Sequence, residues 1–313
     1  MKNEKVNFNI LRYVLIVVLS IGLLLCWVQH FKNSATDAKS AQVNNSAVAK
    51  KRKIIKTNLT NYLNSVTDDG TVSVSFYSLG AKTGSTAANS ESAALYQKGS
   101  LQVESNAHTA QTAASTYKLF ITAYLMKQKM QGNFTWSSSN ADGFYRMIVN
   151  SENDFAETQL ASYGKTAINS FISGQGWYSP VFQDGIAAQT TSYSLQLLLA
   201  QLDAGTGPFK NSSDRAKILK LMGKQVYRTG IPTGVNEADA GTTVTDKVGF
   251  LNDTNNDAGI VTLPNGQKYI LVIMTHGHNQ SGFSGFPKIA KIAKTVQTIV
   301  YGQNAGEKVQ SYN

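Results

Sequence analysis

After Thr242 the chain becomes a run of strand-like segments closed by a helix, and this ending constrains the fold more than any other stretch. Val244 to Leu251, Ala258 to Leu263 and Lys268 to Thr275 each read as a sheet strand. Pro264-Asn265-Gly266 joins the last two as a hairpin, with Asn-Gly in a favoured turn position. Lys288 to Tyr301 then sets Ile289, Ile292, Val296, Ile299 and Val300 on one helical face and Lys288, Lys291 and Lys294 on the other, the pattern of a helix laid on a sheet. Strand signals recur only early in the chain. Thr71 to Tyr77 alternates polar and apolar residues, as a half-buried strand does, and a second strand is expected over Ala93 to Gln97. A helix from Ile54 carrying Ile55, Leu59, Tyr62 and Leu63 precedes them. The middle is helical: Ala113 to Lys129, Gly143 to Asn150, Phe155 to Ser162, Ala167 to Ser173, Tyr193 to Leu202 and Ser213 to Met222. The expected class is α+β, with the two sets of strands joined in one antiparallel sheet and the helical middle inserted as a second lobe.

The N-terminus carries an address. From Tyr13 to Val28 every residue is apolar or small, and Lys2, Lys5 and Arg12 precede the run. No small-x-small cleavage site follows closely, and Leu25 stands before Cys26 where a lipobox needs a small residue, so an uncleaved signal-anchor is expected. The organisation expected is a cytoplasmic N-terminus and anchor over residues 1–32 and a Ser/Ala/Asn-rich and basic linker over 33–53. A folded domain over 54–302 and a polar tail over 303–313 complete it. The domain would then stand outside a cell membrane on a single pass. Cys26 is the only cysteine, so no intramolecular disulfide and no thiol chemistry are available to the domain. The net charge of +10 suits an anionic cell wall or membrane surface. Nucleic acid is not expected as a partner, because no helix-turn-helix, zinc spacing or aromatic-basic ribbon is present.

For chemistry, Ser115-Thr116-Tyr117-Lys118 stands out. A serine needs a nearby base to become a nucleophile, and three residues on a helix bring Lys118 to the same face. Leu119 and Phe120 beside the lysine would desolvate it and ease its deprotonation. Alone the pattern is weak, because Ser162-Tyr163-Gly164-Lys165 repeats it. The ordered set gives it weight: Ser151-Glu152-Asn153 follows in a loop, and Lys247-Val248-Gly249 lies on the first returning strand. Ser138-Ser139-Asn140, in a Ser-rich stretch read as a loop, is a decoy for the second motif.

The order Ser-x-x-Lys, Ser-x-Asn, Lys-x-Gly, ending in a hairpin and a helix, resembles the class A β-lactamase and penicillin-binding-protein superfamily of serine hydrolases over roughly residues 54 to 302. The resemblance implies a five-stranded antiparallel sheet flanked by helices, plus an all-helical lobe. It implies Ser115 as acylated nucleophile, Lys118 as general base and Ser151 as proton relay to the leaving nitrogen. Asn153, Lys247, Gly249 and Phe250 become substrate contacts, with the amides of Ser115 and Phe250 as an oxyanion hole. The substrate is expected to be a β-lactam or another amide, or a peptidoglycan-derived molecule, taken by a monomer without cofactor or metal.

Two departures narrow this. Val248 replaces the hydroxyl residue of the third motif, so one hydrogen bond to a β-lactam carboxylate is missing. The glutamate that would activate the deacylating water has no counterpart either. No glutamate lies between Glu157 and Glu237, and Asp184 is the only acid in the loop from Gly176 to Thr191. Acylation with slow or absent hydrolysis is expected. Rival arrangements fare poorly. His108, His276 and His278 lack a Gly-x-Ser-x-Gly elbow, and His276-Gly277-His278 lacks a third clustered metal ligand. A peptidase, a transpeptidase or an esterase of the same fold, or a non-catalytic binder, stays open.

Overall fold

The computed structural model describes residues 2–312, with side chains described from residue 45 onward and at 19, 20, 22–24 and 26–30. The chain divides into two units, Met1–Lys50 and Lys51–Asn313. The apolar run and the Ser/Ala/Asn-rich stretch belong to the first unit, and the side chains that would test an anchor or a tether lie in good part outside the described residues. Among the described residues no helix is long and apolar enough to cross a membrane.

The second unit is built on one sheet. Strands β1 (Val72–Ala81), β2 (Gln102–Ser105), β5 (Thr243–Leu251), β6 (Thr254–Thr262) and β7 (Gln267–Thr275) stand in the order β2-β1-β7-β6-β5, every neighbour antiparallel. The terminal segments of the domain thus meet in mid-sheet, where β1 pairs with β7. The short strands β3 (Gln111–Thr112) and β4 (Gln189–Thr190) form a separate ribbon. The hairpin from β6 to β7 turns on three residues: Gly266 donates to Leu263 O at 2.9 Å and takes a φ of +89° that a Cβ would disfavour.

Helix α1 (Lys2–Thr67) contributes Ile55, Leu59 and Leu63 to one side of the sheet, and α9 (Phe286–Tyr301) adds Ile289, Ile292, Val296 and Val300, all buried. Packed with α9 is α8 (Ile231–Ala238). The other side carries the helical lobe: α2 (Lys118–Met130), α3 (Ser138–Tyr145), α4 (Asp154–Tyr163), α5 (Lys165–Gly174), α6 (Ser192–Ala204) and α7 (Ser212–Met222). Its core joins Phe120, Leu125, Phe144, Ile172 and Leu198 to Ile260, Ile270 and Val272 of the sheet. Burying such side chains is worth about 1.5–3 kcal/mol each, and this dominates the stability of both layers.

Several local expectations change. The second strand is not at Ala93 to Gln97. Glu91–Ala94 close a 3₁₀ turn, and the strand forms at Gln102–Ser105, where Val103 is buried. Strand β1 is covered on both faces rather than half-buried: Ser73 and Ser75 are fully buried and both bond the Ser192 hydroxyl, at 2.7 and 3.0 Å. Satisfied hydroxyls make polar alternation compatible with a two-sided core. Ser138–Asn140 open helix α3 instead of lying in a loop, because Ser137 caps it by accepting from the Asn140 amide at 3.2 Å. Residues 146–150, expected to continue a helix, form one π turn. Helix α8 was not foreseen, since Gly230, Pro232 and Gly234 break its pattern. Gly234 is nonetheless needed, as a Cβ there would lie 2.0 Å from Ala290 O of α9. Residues 303–312 fold back on α1. Asn58 donates to Lys308 O and accepts from the Gln310 amide, both at 2.8 Å, and Tyr312 packs edge-on against Tyr62.

Candidate active site

β5 is the edge strand beside the helical lobe, and the turn that leads into α2 abuts it. Ala114–Tyr117 form a 3₁₀ turn that runs into α2 at Lys118, so Ser115 projects from the start of a buried helix. Ala114 holds a φ of +43°, a conformation that costs a non-glycine residue about 1–3 kcal/mol and persists only where neighbours enforce it. Here the enforcement is visible. Ala113 N donates to Ala188 O at 2.7 Å, and Asn256 Nδ2 on β6 donates to Thr112 O and Ala113 O at 2.8 and 3.0 Å. Gly249 lies against the same turn: a Cβ on it would come within 2.8 Å of Ser115 N and 2.9 Å of Ala113 O. The glycine of the third motif therefore lets the sheet edge touch the serine turn.

Lys118 is fully buried, and its ammonium has three partners. It donates to Ser115 Oγ at 2.9 Å, to Ser151 O at 2.7 Å and to Asn153 Oδ1 at 2.6 Å. Burial pulls its pKa down to about 8, against the field of Glu157, Asp154 and Glu152, which favours the proton. Ser151 takes a left-handed conformation, φ +63°, that turns its carbonyl to Lys118 while its hydroxyl accepts from Lys247 Nζ at 2.8 Å. Lys247 is also fully buried and also bonds Val248 O at 2.9 Å. Desolvation and repulsion from Lys118 depress its pKa, while Asp246 and Asp257 oppose the shift. The structure thus brings Ser115, Lys118, Ser151, Asn153, Lys247 and Gly249 into one connected cluster. Phe250 follows on the same strand, half-buried. The second Ser-x-x-Lys match lies apart from it, with Lys165 paired on the surface to Asp184.

Four supporting groups went unread in the sequence. Arg146 ties down the Ser151 loop by ion pairs to Asp142, Glu152 and Asp154 at 2.9, 2.8 and 2.6 Å. Asn256 has no sequence signal at all, since the carbonyls it holds at the serine turn are more than 140 residues away. Asp246 and Asp257 are fully buried on adjacent strands. Burial raises both carboxyls, Asp257 to about 6, although Arg228 pairs with Asp246 and Asp257 Oδ2 accepts from the Ile231 amide at 2.8 Å. Asp246 directly precedes Lys247 in the sequence, and that adjacency is the local signal of a counter-charge. Two of the histidines are engaged elsewhere: His108 pairs with Glu104, and His278 with Asp69. Among the described residues no cluster of His, Cys, Asp or Glu is suited to a metal.

An antiparallel sheet with a helical lobe, and a serine-lysine centre at the edge strand between them, define the architecture of the β-lactamase-like serine hydrolases. The chain belongs to the β-lactamase enzyme family, whose model matches residues 138–301, just over half of its length. Solved structures agree on the fold. PBP-A is 19% identical with a TM-score of 0.62, covering 78% of this chain and 94% of its own. A β-lactamase from Sphaerobacter thermophilus is 17% identical with a TM-score of 0.61, covering 77% and 95%. The TLA-3 extended-spectrum β-lactamase is 17% identical at 0.60, covering 77% and 98%. No match was found among curated protein sequences.

Proposed function

We propose that the domain is acylated on Ser115 by amide, β-lactam or ester substrates and releases the acyl group slowly. The observation that carries this is the buried Lys118 ammonium, 2.9 Å from Ser115 Oγ and held by Asn153 and the Ser151 carbonyl. In its neutral form Lys118 takes the Ser115 proton as Oγ adds to the carbonyl carbon. The oxyanion is stabilised by the amides of Ser115 and Phe250, which Gly249 keeps close together. The proton then passes through Ser151 Oγ to the leaving nitrogen or oxygen as its bond to carbon breaks, and Lys247 supplies positive potential at that hydroxyl. Slow release rests on Asp184. The only acid of the 176–191 loop is 99% exposed and paired with Lys165 on the surface. A positioned general base is worth about 10²–10⁴-fold in rate, and deacylation proceeds without it.

Intact-mass spectrometry tests both parts. A fluorophosphonate should add one equivalent to Ser115, and any adduct formed with benzylpenicillin should persist through a time course of an hour. Rapid turnover of a chromogenic cephalosporin would refute slow release, and no labelling by the fluorophosphonate would refute the nucleophile. The pH dependence has a defined sign. Only neutral Lys118 accepts a proton, so the second-order labelling rate should rise with pH through a midpoint of about 8. Glu157 is the acidic group that most favours the Lys118 proton, so Glu157→Gln should move that midpoint lower. A midpoint unmoved by Glu157→Gln would argue against Lys118 as the titrating base.

We further infer a domain outside the membrane, acting as a monomer on small-molecule or cell-wall-derived substrates. The apolar run after Lys2, Lys5 and Arg12 and the net charge of +10 support that placement.

A further inference from the structure

Beyond Gly249 the edge strand leads into a cluster of aromatic rings. Phe250 meets Tyr227 at 5.3 Å and Phe283 at 4.5 Å between ring centres, and Tyr227 stacks on Phe283 at 5.1 Å. The three come from separate parts of the chain: β5, the segment before α8 and the segment before α9. Phe283, in contact with both other rings, is 45% exposed, and Tyr227 and Phe250 are half-buried. Large apolar side chains left open together mark a binding surface rather than a core.

Its position relative to the serine is set by two contacts. Gly249 packs on the Ser115 turn, one residue before Phe250. Val226 N donates to Val149 O at 3.1 Å, two residues before Ser151, so the Tyr227 segment is pinned beside the hydroxyl that protonates the leaving group. The rings therefore lie on the leaving-group side of the site. Two polar side chains next to them in the chain or across the sheet already have partners. Arg228 bonds Asp246 and Val244 O, and Asn255 on β6, opposite Phe250, bonds Thr254 O, Gly282 O and the Gly285 amide. Val248, two residues before Phe250, offers no hydroxyl. A leaving group ending in a carboxylate would meet apolar rings at this point, with the Arg228 charge already paired to the buried Asp246.

We propose that Tyr227, Phe250 and Phe283 form an apolar subsite selecting substrates whose leaving group is uncharged and hydrophobic, such as a neutral aryl or aralkyl ester, thioester or amide. This rests on Ser115 being the acylated nucleophile. In the step, Ser115 Oγ bonds to the acyl carbon, the bond from that carbon to sulfur, oxygen or nitrogen breaks, and the serine proton ends on the departing atom.

Two N-acylglycyl thioesters test it with the full chain, one of phenylmethanethiol and one of 4-(mercaptomethyl)benzoate, whose leaving groups differ only by the carboxylate. Acylation is followed by intact mass. The neutral thioester should react about tenfold faster or more, a discrimination within the reach of one pocket. Phe283→Ala and, independently, Tyr227→Ala should each bring the ratio toward one by slowing the neutral thioester. Equal rates in the wild type, or a preference for the carboxylate, overturn the subsite. If a fluorophosphonate still labels Ser115 in that case, the nucleophile stands and the subsite alone is lost. If neither thioester nor fluorophosphonate modifies Ser115, both readings fall.

Discussion

Replacing Lys118 with methionine is expected to slow acylation of Ser115 by about 10²–10⁴-fold, the usual worth of a positioned general base. The same change should leave stability nearly unaltered or slightly higher. Lys118 is fully buried, and taking an ammonium out of water costs several kcal/mol, which its contacts to Ser115, Ser151 and Asn153 offset only in part. Methionine fills similar space without that cost, while leaving the Ser151 carbonyl and Asn153 Oδ1 short of a donor. Labelling kinetics beside a thermal melt would separate the two effects. A large loss of both would mean that Lys118 is mainly a structural tie between the helical lobe and the Ser151 loop.

Gly249→Ala should produce the second large loss, about 10²-fold in acylation together with about 1–3 kcal/mol of stability. The added methyl would meet Ser115 N at 2.8 Å, Ala113 O at 2.9 Å and Thr116 N at 3.0 Å, all backbone atoms of a turn already held in place by Asn256. Since no flexible side chain can give way, either β5 or the serine turn must shift, and a small shift misplaces both the nucleophile and the oxyanion donors. Wild-type labelling rates in Gly249→Ala would show that the two segments do not need this approach.

The returning strands and the closing helix were legible because each buries a periodic apolar face, and periodicity is local. The short edge strand at 102–105 and helix α8 were not. A four-residue strand has too few positions to show a period, and α8 is held by packing against α9 that its own glycines and proline obscure. At the site, Ser115 and Lys118 were readable as neighbours because three residues make one turn. That Ser151 hydrogen-bonds Lys247, 96 residues away, was reached by resemblance to a family and not by any property of the intervening chain.

By itself the sequence determined the α+β class, the four long strands of the sheet, the absence of thiol chemistry in the domain and the ordered serine, lysine and asparagine motifs, because composition and local spacing carry these. Tertiary structure alone decided how the remote motifs meet in one cluster, how far Lys118 is desolvated, and that Asp184 is spent on the surface. It also gathered Tyr227, Phe250 and Phe283 beside the serine. The physical reason is common to all four. Burial, field and mutual distance depend on which remote segments the sheet brings together, and no window along the chain contains them.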